Sequence, residues 1–178
     1  ARFHKRNNNW PGGAMSVTGC GTVLFNSVSD FTGGLTVSDT ATVAVNPGKQ
    51  PGAGTVTVNN GATLQVAQSG TVALAGGLTL ADGAALGFNF TDWNTPPQLA
   101  LSNGKTLTAK GAVNVKISGE VWPRGGEKVL TTCGGFDAEG VTVSLAAGSP
   151  KWAKSVKVNE DGNIVLDVKP RGTRVIVR

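Results

Sequence analysis

The chain of 178 residues is poor in the side chains that most often carry catalysis: it has one histidine, two cysteines and no tyrosine, and charged residues make up 15% of it. An average globular domain has about 25% charged residues. The one histidine, His4, stands in a basic stretch near the start of the sequence. A Ser-His-Asp or Cys-His arrangement would depend on His4 alone, so the sequence predicts no catalytic residue.

Metal and cofactor signatures are lacking as well. Cys20 and Cys133 match neither the spacing of a zinc site nor a C-x-x-C pattern. No Walker or dinucleotide-binding glycine pattern occurs, and Gly33-Gly34 lacks the remainder of a calcium-binding β-roll repeat. We therefore predict no cofactor and no metal site, and two cysteines that are either free or joined in a disulfide.

Long apolar runs are also missing. No run of about 18 apolar residues occurs, so the sequence predicts no membrane span. No signal-peptide pattern opens the sequence, which begins in a basic stretch at Ala1, as expected of a processed or trimmed chain.

What the sequence does contain is a series of short segments in which apolar and polar residues alternate, separated by turn formers such as Asn59-Asn60-Gly61. This alternation is typical of β-strands. The segment that begins at residue 34 (GLTVSDTATVAV) aligns with those that begin at residues 55, 77 and 104, at offsets of 21, 22 and 27 residues. Repeats of about 20–30 residues with β character are typical of solenoid coils.

The sequence therefore predicts an all-β fold, a short parallel β-solenoid, with a β-sandwich as the alternative because its strands alternate in the same way. We interpret residues 1–18 as a basic N-terminal arm and entry segment, 19–90 as solenoid coils, 91–168 as an atypical C-terminal β cap, and 169–178 as a basic tail strand. Twelve apolar residues are expected to point inward in columns: Leu35, Val37, Val43, Val45, Val56, Val58, Leu64, Val66, Leu78, Leu80, Leu86 and Phe88.

Basic charge is concentrated at the two ends of the chain, whose formal net charge is +5. Nucleic-acid binding favours basic and aromatic residues interleaved along one groove, so we predict no nucleic-acid partner. We expect the alternating tail to add a strand to another subunit, which gives a homo-oligomer or a filament. The predicted contacts are Arg2, Lys5, Arg6, Arg174, Val175, Ile176, Val177 and Arg178, with an intersubunit disulfide between Cys20 and Cys133 as a further hypothesis.

Two sets of residues have competing interpretations. Asp39 and Asp82 occupy equivalent turn positions, with Asn60 between them, and are either a glycosidase pair or plain turn formers, the second being favoured. The four tryptophans form either a platform for stacking sugars or covers for the apolar ends of the solenoid, and the cover is favoured. They are Trp10, Trp93, Trp122 and Trp152.

Residues 19–37 (GCGTVLFNSVSDFTGGLTV) resemble the autotransporter-associated β-strand repeat of bacterial passenger domains. The shared positions are Gly19, Gly21, Thr22, Leu24, Phe31, Thr32, Gly33, Gly34 and Val37. The resemblance implies a right-handed parallel β-helix that is secreted or on a bacterial cell surface. We predict a non-catalytic structural module that acts in surface display, adhesion or self-assembly into extracellular filaments. The alternatives are a carbohydrate-binding module for a surface glycan and a polysaccharide-active β-helix enzyme.

Overall fold

The computed structural model describes residues 2–3, 12–29, 32–102, 104–137 and 139–170. Within these residues the chain has nineteen strands and no helix, which confirms the predicted all-β class. In chain order the strands are β1 (Arg2–Phe3), β2 (Met15–Val17), β3 (Cys20–Phe25), β4 (Leu35–Val37), β5 (Thr40–Val45), β6 (Val56–Val58), β7 (Thr63–Val66), β8 (Gly70–Leu74), β9 (Leu78–Leu80), β10 (Ala85–Asn89), β11 (Pro97–Leu101), β12 (Leu107–Ala109), β13 (Ala112–Ser118), β14 (Gly126–Val129), β15 (Thr131–Thr132), β16 (Phe136–Asp137), β17 (Thr142–Leu145), β18 (Ala153–Val158) and β19 (Ile164–Val168).

The strands form four sheets. Sheet A has the order β1-β3-β5-β7-β10-β13-β17, sheet B the order β2-β4-β6-β9-β12-β16, and sheet C the order β8-β11-β15. Neighbouring strands in these three sheets are parallel, whereas sheet D (β14-β19-β18) is antiparallel. Parallel pairing differs from the antiparallel sheets of the alternative β-sandwich.

Each sequence repeat contributes one strand to sheet B and the next strand to sheet A, and from residue 70 a further strand to sheet C. Leu35, Val56 and Leu78 are direct partners in sheet B, as predicted. Their column also includes Met15 and Leu107. Leu107 follows Leu78 by 29 residues, so the predicted offset of 27 residues for the fourth repeat is wrong. Because parallel strands lie about 4.8 Å apart, identical positions of successive repeats stack in register.

The apolar columns form one continuous core. All twelve residues predicted to point inward are buried, with at most 2% of each surface exposed. Burying a large aliphatic or aromatic side chain stabilises a fold by about 1.5–3 kcal/mol, so these columns are a main source of stability. The same cluster includes Ile164, Leu166 and Val168 of sheet D, which joins the antiparallel part to the parallel sheets.

The turns before and after the strands of sheet B require particular backbone conformations. Gly34 has φ of 93°, and a Cβ at this position would lie 2.8 Å from the carbonyl oxygen of Thr55 in the next repeat. A side chain is excluded there because the neighbouring backbone occupies its space. Asp39, with φ of 59°, is the one non-glycine residue with positive φ in the described part of the chain.

Parallel pairing does not stop where the sequence pattern changes at residue 91. Strand β10 pairs with β13 and β9 pairs with β12, and both sheets continue to β16 and β17. The longer repeats keep register because their additional residues lie in connections outside sheets A and B, such as residues 119–125. The antiparallel pairing that distinguishes the C-terminal region involves strands β14, β18 and β19, and the proposed domain boundaries stay predictions.

The columns predict a strong dependence on apolar side chains at inward positions. We expect Val56→Asp to lower the free energy of unfolding by about 3–5 kcal/mol, because it leaves an unpaired charge in the core. Thr57→Asp adds the same charge to the opposite face of the same strand and should cost about 1 kcal/mol or less. Urea unfolding of both variants measures the difference, and equal midpoints would contradict the inward and outward assignment.

Candidate functional site

The two turn carboxylates connect neighbouring repeats through the backbone. Asp39 Oδ2 accepts a hydrogen bond from the Gly19 amide at 2.8 Å, and Asp82 Oδ1 accepts one from the Ala112 amide at 2.7 Å. The Asp82 carboxylate occupies the space above Gly111, where a Cβ would lie 2.2 Å from Oδ1. Both carboxylates therefore act as turn residues, as the favoured interpretation predicts.

Other ionisable groups pair on the outer side of sheet D. Lys154 lies 2.8 Å from Asp167, and Lys157 lies 2.5 Å from Glu127. The hydrogen bond and the charge of Glu127 raise the pKa of Lys157 above its ordinary value. Both pairs are largely exposed, so they contribute little to stability. In the described part of the chain no group of three His, Cys, Asp or Glu residues is arranged to hold a metal ion.

The cysteines are both free thiols. Cys20 is exposed at the start of β3, and Cys133 is partly buried with its Sγ 3.6 Å from the carbonyl oxygen of Gly162. The intersubunit disulfide between them stays a hypothesis.

Three of the tryptophans lie in different surroundings, and Trp10 lies outside the described residues. Trp152 is buried, and its ring meets Phe90 edge to face at 5.1 Å. The Trp122 indole N–H donates to the Lys169 carbonyl oxygen at 3.1 Å. Trp93 is 48% exposed, and the Arg124 guanidinium lies 5.9 Å from its ring centroid. A shared platform would need all the rings at the surface, and the burial of Trp152 excludes it from one.

The sequence analysis did not identify a row of hydroxyl side chains on the outer face of sheet B. Direct pairing places one such residue from each of five neighbouring strands side by side. We call this row the hydroxyl ladder; its members are Ser16, Thr36, Thr57, Thr79 and Thr108. Each is the middle residue of a three-residue strand whose outer residues enter the core or pack against it. The signal was present in three of the aligned repeats, where Thr36, Thr57 and Thr79 each follow Leu or Val.

A second row of polar side chains connects the repeats beyond sheet A. The Asn46 side-chain amide donates to Asn26 Oδ1, and the Gln68 amide donates to Asn46 Oδ1. Stacked amides of this kind support parallel, in-register strands. This row links three successive repeats, so its role is structural.

The outer face of sheet A is crossed by one long side chain. The Lys116 ammonium donates to the Thr63 hydroxyl at 2.9 Å, although β13 and β7 are separated by β10. The intervening β10 positions are Ala85 and Gly87, which are small enough to lie beneath the lysine stem. Sheet A is therefore partly covered, unlike the ladder face of sheet B.

Most predicted assembly contacts cannot be placed. Lys5, Arg6, Arg174, Val175, Ile176, Val177 and Arg178 lie outside the described residues. Arg2 belongs to β1, whose backbone pairs with Leu24 and Phe25 of β3, and its side chain is not described.

No protein-family model, curated protein or solved structure matches the chain. The resemblance to the autotransporter-associated repeat therefore stays a prediction from residues 19–37. The described part of the chain contains no helix that is long and apolar enough to cross a membrane.

The structural role of Asp82 in its turn can be tested by measuring both the stability and the hydrolytic activity of Asp82 variants. We expect Asp82→Ala to lower the free energy of unfolding by about 1 kcal/mol, because the Ala112 amide loses its acceptor. Asp82→Asn keeps a side-chain oxygen and should cost less. Urea unfolding measures both variants. A hydrolytic activity lost in both variants at unchanged stability would contradict the structural role.

Proposed function

We propose that this chain is a short right-handed parallel β-helix that serves as a non-catalytic structural module of a secreted or cell-surface bacterial protein. The main support is the register of sheets A and B, in which five successive repeats stack identical positions over one apolar core. Such a stack is rigid and extends by simple repetition, which suits the spacing or display of surfaces.

The chemistry of the described residues also favours a structural role. Asp39 and Asp82, the carboxylates nearest to a glycosidase arrangement in sequence, each accept a backbone hydrogen bond from a neighbouring repeat. These hydrogen bonds join neighbouring repeats, which supports a structural role for both carboxylates.

Assembly through the chain ends is part of the proposal. One of the two edge strands of sheet D, β18, has features that prevent pairing with foreign strands. These are Lys154, Lys157 and a register irregularity between Ala153 and Ser155. We therefore assign the assembly contact to the basic tail that follows Pro170, in which Val175, Ile176 and Val177 lie between two arginines, rather than to β18.

Carbohydrate binding is a second candidate function. Its support is Trp93, an exposed ring with the Arg124 guanidinium above it in a loop held by Ser69, whose Oγ accepts from the Thr91 and Asp92 amides. Exposed aromatic rings offer an apolar face to sugars.

Deletion of residues 171–178 tests the assembly proposal. We expect the full chain to form oligomers or filaments and the deletion variant to be monomeric, because the tail supplies the added strand. Light scattering after size exclusion and electron microscopy measure the two states. If the full chain is also monomeric at high concentration, the assembly proposal is wrong.

The non-catalytic role has its own test. We expect no turnover of pectins, glucans or peptides above background by the folded chain. Reproducible cleavage that disappears on changing one carboxylate would overturn this part of the proposal and leave the assembly result unaffected.

A further inference from the structure

The hydroxyl ladder is a regular row of uncharged side chains on five of the six strands of sheet B, and Asp137 of β16 follows Thr108 at its end. Its five hydroxyl-bearing residues are one strand spacing apart, so the row is about 19 Å long and about 10 Å wide. Ser16 and Thr108 are exposed, and Thr36, Thr57 and Thr79 are half-buried. None of their hydroxyls makes a side-chain hydrogen bond to another described residue. The ladder therefore offers a line of donors and acceptors to a partner.

Strand propensity alone does not explain this uniformity. Threonine is favoured in strands in general, so a propensity effect would also fill the equivalent outward positions of sheet A. The column of sheet A that begins with three threonines continues instead with three different residues. Its members are Thr22, Thr42, Thr63, Ala85, Asn114 and Ser144. The sheet B column thus keeps hydroxyls on five neighbouring strands before it ends on Asp137 of β16, whereas the sheet A column changes after three.

The register of the ladder is kept while the length of the repeats changes. Successive members are 20, 21, 22 and 29 residues apart, from Ser16 to Thr108. The added residues lie in connections away from sheet B, because no pairing along this row shows a register shift. The face of sheet B is therefore constant in both spacing and chemistry over five strands.

The size of the hydroxyl ladder and the lack of charge on its five side chains favour one class of partner over others. A stable protein interface buries about 800 Å² on each side, far more than a strip of about 10 by 19 Å provides. An anionic polymer would find no cation among the five ladder side chains. A single extended chain of neutral sugars fits a narrow row, since its rings follow one another at about the strand spacing. Its hydroxyls pair with the threonine hydroxyls, and its ring C–H groups contact the threonine methyls.

We propose that the hydroxyl ladder binds one extended, uncharged β-1,4-linked polysaccharide chain, with about one sugar on each strand. This inference rests on the proposed surface role, in which the module meets such polymers, and it places the sugar at sheet B instead of at Trp93.

The test measures binding of the full chain to insoluble cellulose and chitin and to soluble β-1,4-linked oligosaccharides of two to six sugars. We expect affinity to rise with length up to about five sugars. The double variant Thr57→Val/Thr79→Val keeps side-chain shape and removes two hydroxyls, and it should weaken binding about tenfold. Thr42→Val, at a half-buried outward position of sheet A, is the matched control and should bind like the original chain.

Several results would overturn the inference. They are no binding by the folded chain to any of these sugars, equal binding by the double variant, or loss of binding in Trp93→Ala with the double variant unaffected. A change of solution mass in the double variant would instead identify the face as a contact between copies. Urea midpoints confirm that the variants are folded. Cleavage of a bound polymer would refute the non-catalytic role and leave the ladder assignment intact.

Discussion

Register between parallel strands is the constraint on which the rest of the molecule depends. A shift by one residue in any repeat would turn its inward residues outward, because side chains alternate with a period of two. The column through Leu35, Val56 and Leu78 keeps that register from strand to strand. Burial of the columns, the turn carboxylates, the amide row and the hydroxyl ladder all follow from it, since each places equivalent residues of successive repeats side by side.

The sequence analysis identified the inward columns because they depend on a local signal. Alternation within three residues, such as Val56-Thr57-Val58, predicts which residues enter the core. The offset between repeats predicts which residue of the next strand lies beside each of them. The local signal for a strand is weaker at β11, because this strand begins with Pro97. A proline lowers the expectation of a strand, but the first residue of a strand tolerates it.

Contacts between distant segments could not be predicted from the sequence. The hydrogen bond from Lys116 to Thr63 joins residues 53 positions apart, and it depends on two small residues on the strand between them. The packing of Trp152 on Phe90 similarly depends on where the antiparallel strands return to the core. The hydroxyl ladder was not predicted for a different reason: the offsets between repeats were applied to the inward residues and not to the outward residues between them.

The strand edges at the ends of the stack and its outer faces place different constraints on their side chains. An end must prevent unwanted strand pairing, and at sheet D this is achieved by lysines and an irregular register on β18. An outer face has no such requirement, so its side chains are free to vary, as they do on sheet A, where Lys116 crosses the surface. Hydroxyls on five consecutive strands of sheet B, before Asp137 of β16, therefore suggest a reason beyond folding, because neither the core nor the sheet edges constrain these outward residues. A partner that repeats with the strands supplies that reason.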